Sequence, residues 1–218
     1  LIIPEGFSNY QIKERMISEK LLSGKIDTLL VEGSYAPQTY LFSRGDKRNK
    51  FLTLMVEKQR VILDEAWRNR ATDLPLNNKF EALILASIIE EEASSIEEQK
   101  IIASVFINRL KYGMRLQTDP TVIYGITKGE YKLGRGLLKT ELTQYTPWNT
   151  YRIKGLPPTP ISNPGKSAIK AVTQPAITDF LYFVADGKGG HWFAKSNEEH
   201  NKNVKKWREI EKKREITK

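Results

Sequence analysis

The chain has 218 residues, with 35 Lys and Arg against 26 Asp and Glu for a formal charge of +9, two His and no Cys. The lack of cysteine excludes a disulfide framework, a cysteine-ligated zinc and a thiol nucleophile. No window approaches the ~18 uninterrupted apolar residues that a membrane span needs, and 39% hydrophobic with 28% charged residues fits a soluble globular chain of one large or two small domains.

Residues 1–44 read as a small α+β unit. A short apolar strand is followed by the turn Pro4-Glu5-Gly6, a helix from about Ser8, then Leu29-Leu30-Val31 and a turn containing Gly33. No basic segment leads into an apolar one at the start, so no intact signal peptide is expected within the chain. The composition turns polar around Gly45 to Asn49, which predicts a boundary near Gly45. Leu52, Met55, Val56, Leu63, Ala66 and Trp67 then share one face of a helix predicted over 50–70.

A helical run follows from Phe80 to Ala93. Ser95 and Glu98 offer a capping box for a helix over 99–112. From Gly113 the texture changes to Gly, Pro, Thr and Tyr, predicting a long stretch of loop and short elements; such loops in a compact domain are more often functional than incidental. Asn163-Pro164-Gly165 predicts another helix start, with Pro at its first position. Phe180 to Ala185 reads as a buried strand that turns at Asp186 to Gly190 and returns as His191 to Ala194, a hairpin. A terminal helix is predicted from the capping box of Ser196 and Glu199. Its eight basic residues from Lys202 onward, beside the narrow stripe of Val204 and Trp207, read as a solvated face rather than an anion-binding surface.

The glycine-rich segment at 186–190 joins two strands and lacks the spacing of a phosphate loop. Two histidines are too few for a histidine zinc triad, and no H-E-x-x-H or G-x-S-x-G pattern occurs, so no metal or cofactor is expected. Six acids between Glu81 and Glu98, with no basic residue among them, argue against a nucleic-acid partner, whose phosphates demand positive charge. Carboxylate chemistry remains. On a helical wheel Glu91 falls opposite the apolar face, while Glu90 and Glu92 fall on its two borders; Leu83 and Ile84 lie outside the apolar stripe. A carboxyl half-buried at either border would hold its proton to higher pH and could act as a general acid. The wheel does not choose between Glu90 and Glu92. Glu98 is assigned to the capping box with Ser95.

The run from Ala86 through Glu92, the blocks Ala103 to Leu110 and Met114 to Gly125, and the segments Asn149-Thr150-Tyr151, Gly155 to Pro158, Ile161 to Gly165 and Tyr182 to His191 together resemble the YceG-like endolytic murein transglycosylases, the MltG family. Upstream, Ile3-Pro4-Glu5-Gly6 and Val31-Glu32-Gly33 with Tyr40 resemble the LysM-like part of that family. The resemblance implies an α+β protein, with residues 1–45 as the LysM-like part and 46–218 as a mixed catalytic domain. It implies a bacterial enzyme held in the inner membrane by one helix upstream of Leu1, with its catalytic domain in the periplasm. Its substrate would be nascent peptidoglycan strands, cut at the β-1,4 bond between N-acetylmuramic acid and N-acetylglucosamine to leave 1,6-anhydro ends; cell-wall synthesis enzymes would be further partners.

The family's catalytic glutamate is the first acid of its A-S-I-[IV]-E-x-E block, which falls on Glu90. Gln117, Thr118, Asp119, Asn149 and Tyr151 are expected to line the cleft, and Asn108 and Arg109 to tie helix to loop. The chain departs from the family in carrying Glu91 where Lys is common, a charge that would raise the Glu90 pKa, and in carrying Trp148 and Thr159 where Tyr and Gly are common. Two rival readings are a non-catalytic peptidoglycan-binding module and a muramidase-type hydrolase that would use Asp119 and release reducing ends.

Overall fold

The computed structural model describes residues 1–27, 31–93 and 95–216, with side chains up to residue 214. The architecture is α+β, mostly helical with one two-stranded antiparallel sheet. Helix α1 (Asn9–Ser18) starts with a reciprocal cap: the Gln11 amide donates to Ser8 Oγ at 3.2 Å and the Ser8 amide to Gln11 Oε1 at 2.9 Å. The expected first strand is reduced to a single bridge, Ile2 to Thr39. Most of the expected Leu29 to Val31 element lies outside the described residues.

Ile3, Ile12, Met16, Tyr35 and Tyr40 form a small core that takes in Phe51, Leu52 and Met55 from the first half of α2 (Arg48–Arg68). The second half of the same helix puts Leu63 and Ala66 into the larger core. One helix thus serves both cores, because its apolar face continues through 21 residues. Asn163 adds a polar seam between them. Its backbone N–H donates to Phe7 O, its carbonyl accepts from Gly6 N, and its side chain reaches Glu32 Oε1 at 3.1 Å and accepts from Tyr35 N at 2.8 Å. Glu32 also accepts from the Asn9 amide and the Tyr124 hydroxyl. Burial pushes its carboxyl up to about 7 against those three bonds.

The larger core is built around α3 (Lys79–Glu92), flanked by α2, α4 (Ile96–Lys111), α5 (Asp119–Thr127) and α7 (Lys166–Thr173). Asn78 caps α3 by accepting from the amides of Phe80 and Glu81. Every residue from Ala82 to Ile89 is buried. This explains Leu83 and Ile84: a helix covered on all sides has no single apolar stripe.

The loop-rich stretch holds two short helices, α5 and α6 (Lys139–Thr143), and Asp119 is the first residue of α5. Helix α7 begins at Lys166 with Gly165 as its cap, which leaves Pro164 just before the helix instead of at its first position. The hairpin pairs β1 (Tyr182–Ala185) with β2 (His191–Ala194), Tyr182 opposite Ala194; β1 is half-buried and shorter than expected. Helix α8 (Asn197–Ile216) starts after Ser196, whose hydroxyl accepts from the Glu199 amide. Among the described residues no helix is long and apolar enough to cross a membrane.

Candidate active site

Helix α3 leaves the core at Ile89, and successive residues then step around the helix by about 100°. Glu90, Glu91 and Glu92 therefore diverge into different surroundings. Glu90 turns toward α7, where its Oε2 accepts from the Gly165 amide at 2.9 Å. The Glu5 carboxylate lies against the same Gly165, where a Cβ would collide with it. Burial pushes the Glu90 carboxyl up to about 7; the Gly165 bond opposes this, and the charges of Glu5 and Glu91 add to it. Much of Glu91 is exposed, as the wheel expects, yet its head group packs toward Gly6, whose Cβ would lie 3.0 Å from Oε1. Desolvation raises its pKa against a bond with Ser162.

Glu92 faces the other way. It lines a cleft of about 550 Å³ together with Gln117, Thr118, Asp119 and Tyr151. The Thr118 hydroxyl donates to Glu92 Oε1. Burial pushes the Glu92 carboxyl up to about 7; the Thr118 bond opposes the shift, and the charges of Asp119 and Glu91 reinforce it. Four of the five residues expected in the cleft wall thus gather around Glu92, and Glu90 is not among the residues that line this cleft.

The wall is held by an internal network. Arg109, buried, donates from Nε to Leu181 O at 2.6 Å and from Nη1 to the carbonyls of Arg115 and Leu116 and to Gln117 Oε1. Asn108 donates to the carbonyls of Thr178 and Phe180. Both residues tie α4 to the segment that leads into β1, as expected. Gln117 sits at φ 53°, a left-handed backbone that is rare for a side chain of this kind and recurs at functional sites. With its carbonyl oxygen taken by Arg109, its amide N–H groups remain as donors. The Thr118 amide donates to Thr150 Oγ1, and the Tyr151 hydroxyl donates to Asp119 Oδ1 at 2.6 Å.

Asn149 behaves differently from the expectation. It is 1% exposed, and its Nδ2 donates to the carbonyls of Glu141, Leu142 and Gln144 while Oδ1 accepts from the Tyr151 amide. Every polar atom of its side chain is used to shape the loop that presents Tyr151, so none reaches the cleft. Glu98 departs from its expected role as well. The Ser95 hydroxyl accepts from the Glu98 amide, but the Glu98 carboxylate turns to His191, 3.1 Å from Nδ1, instead of completing the box.

The remaining wall comes from the hairpin and α8, through Tyr182 to Ala185, His191, Asn197, His200 and Asn201. Sequence reasoning weighed the histidines only as metal ligands, and no spacing signal connected them to α3. Among the described residues no three His, Cys, Asp or Glu side chains come together to hold a metal ion.

A profile of the YceG-like family matches residues 1–206. An endolytic murein transglycosylase of Bacillus subtilis is 38% identical over 177 residues, which cover 81% of this chain and 48% of that protein. One from Streptococcus pneumoniae strain D39 is 30% identical over 181 residues, 80% of this chain and 32% of that protein. The chain therefore spans about half and about a third of their lengths. The crystal structure of a YceG-like protein from Listeria monocytogenes matches with a TM-score of 0.75 and 36% identity, over 93% of this chain and 75% of that one.

Proposed function

Because the chain belongs to the YceG-like family, we propose that it is the catalytic part of an endolytic murein transglycosylase, with Glu92 as its single general acid and base. The relatives' activity supports the substrate class, peptidoglycan strands outside the cytoplasm. One observation carries the residue assignment: Glu92 is the acid at the end of α3 that opens into the cleft with Gln117, Thr118, Asp119 and Tyr151, and its carboxyl is pushed up to about 7.

A carboxyl that still holds a proton near neutrality can donate it to a leaving group. Glu92 protonates the glycosidic oxygen between N-acetylmuramic acid and N-acetylglucosamine as the C1–O bond breaks. Positive charge develops at C1 in an oxocarbenium-like state. The resulting Glu92 carboxylate then takes the proton of the muramic acid C6 hydroxyl while O6 bonds to C1, closing a 1,6-anhydro ring. The proton count balances, and no water is consumed. Thr118, by donating to Glu92, stabilises the carboxylate stage; the free amide N–H of Gln117 and the Asp119–Tyr151 pair contact the sugar beside it. Asn149 acts through the loop that carries Tyr151.

The second reading keeps the resemblance's assignment, Glu90. Its raised carboxyl favours it, but its surroundings, Gly165 and Glu5, form a seam with the N-terminal unit. Digestion of purified peptidoglycan by the wild type, Glu92→Gln and Glu90→Gln, with product ends identified by mass spectrometry, separates the readings. Anhydro-muramic ends from wild type and Glu90→Gln, but not from Glu92→Gln, are expected. Loss only in Glu90→Gln returns the acid to Glu90. Reducing ends make the protein a muramidase-type hydrolase with Asp119 as the second carboxylate, and no products from wild type leave a peptidoglycan-binding module. An inner-membrane anchor upstream, a LysM-like role for residues 1–45 and wall-synthesis partners belong to the same proposal.

A further inference from the structure

The proposed chemistry leaves one wall of the cleft unused. The first turns of α8 bring His200 and Asn201 to it, beside Tyr182 of β1. The His200 ring lies nearly parallel to that of Tyr182, with centroids 5.2 Å apart and planes at 23°. Arg109 approaches the same tyrosine ring at 5.0 Å. His200 Nδ1 is buried without a hydrogen-bond partner among the described residues, so Nε2 is the ring nitrogen left to meet a ligand. A polar ring held half-buried and unbonded costs stability, and such groups call for an explanation.

The lining points to an uncharged, hydroxyl-rich ligand. Among the described residues Arg109 is the one Lys or Arg that lines the cleft, its Nε and Nη1 are held by carbonyl oxygens, and the Glu92 and Asp119 carboxyls on the same wall disfavour an anion. Besides the Glu92 and Asp119 carboxyls, the polar lining consists of amides, hydroxyls and imidazole set on aromatic rings, the mixture that orients a sugar. Asn201 donates from Nδ2 to Asn197 Oδ1 at 2.7 Å, which fixes its amide and leaves its carbonyl oxygen free to accept.

We propose that His200, supported by Asn201, is a substrate-positioning residue that hydrogen-bonds an N-acetylated sugar ring held in the cleft beside Glu92. The proposal rests on the transglycosylase reading of that cleft. Tyr182 from β1 stacks on His200 and the charge of Arg109 from α4 acts on it, while His191 from β2, Glu92 from α3 and Asp119 from α5 line the same cleft. Burial first, and then the Arg109 charge, keep its pKa below the ordinary histidine value. With Nδ1 buried, Nε2 accepts from the ligand when the ring is neutral and its proton sits on Nδ1; the protonated ring loses that acceptor. Activity is therefore lost as pH falls through the His200 pKa.

Two measurements test this. The first is binding of an uncrosslinked peptidoglycan tetrasaccharide to the catalytically silent Glu92→Gln protein, alone and combined with His200→Ala or His200→Gln. Adding His200→Ala is expected to weaken binding about tenfold, and His200→Gln, which keeps a donor and an acceptor, to restore most of it. The second is the pH profile of kcat/KM: in the single variant His200→Gln the acid limb is expected to move or vanish while the alkaline limb of Glu92 stays. Unchanged binding and an unchanged acid limb in the His200 variants, beside an active wild type, overturn this proposal alone. Failure of the Glu92→Gln protein to bind the tetrasaccharide at all, with no cleavage by the wild type, overturns the reading of the cleft and this proposal with it.

Discussion

Thr118 Oγ1 donates to Glu92 Oε1, joining the last turn of α3 to the cap of α5 across 26 residues of sequence. The bond favours the carboxylate, so it lowers a pKa that burial raises. General-acid work requires the protonated form, and activity is lost as pH rises through about 7. Thr118→Val removes the opposing bond, leaving the proton more tightly held. Its alkaline limb in a kcat/KM profile is expected to move to higher pH, with a lower rate for the step that uses the carboxylate. A limb that moves to lower pH would contradict this account of the bond.

Asn149→Ala should act on folding more than on chemistry. It strips three loop carbonyls of their shared donor, and buried groups left unpaired cost about 1–3 kcal/mol each. Urea unfolding is expected to show a loss of that order or more. The surviving folded protein at low temperature should keep a near-normal KM. A large KM change without lost stability would move Asn149 back to the cleft.

Gly33 sits at φ +84°, and a Cβ there would lie 2.8 Å from Pro160 Cγ and 3.3 Å from Leu83 Cδ2. A proline ring cannot rotate away. Gly33→Ala therefore combines a strained backbone with a clash at the seam between the two cores, and is expected to cost about 1–3 kcal/mol. Thermal melting measures this directly; a melting temperature within a degree of wild type would rule out the tight approach.

Stability should fall as pH rises from about 4.5 to about 7. Glu32, Glu90 and Glu92 each have a folded-state pKa of about 7 against 4.5 for the ordinary carboxyl. Between those values the folded chain binds more protons than the unfolded one, so the stability these groups lend to the protonated fold is present below pH 4.5 and is lost by pH 7. Glu32, the most enclosed by its partners, contributes on the order of 1–3 kcal/mol. Glu32→Gln is expected to flatten the melting-temperature profile between pH 5 and 8. A profile as steep as that of the wild type would assign the pH dependence elsewhere.

Local pattern carried a good part of this structure. Capping residues and apolar periodicity announced α1 to α4 and α8, and the strand, glycine turn and strand announced the hairpin, because those elements are decided by neighbours within a few residues. The motif blocks carried the family, and the wheel carried the divergence of Glu90, Glu91 and Glu92, since three successive helix positions cannot share a face.

Tertiary structure alone decided which border glutamate meets the cleft. On the wheel the two borders are equivalent. What separates them is that Thr118, Tyr151 and the hairpin pack beside Glu92, while Gly165 and Glu5 pack beside Glu90. Those partners lie 26 or more residues from α3, or come from the N-terminal unit, and no local period encodes their approach. The same holds for Asn149, whose amide turned inward because three loop carbonyls needed a donor, and for His200, which meets Tyr182 only after α8 folds back on the hairpin.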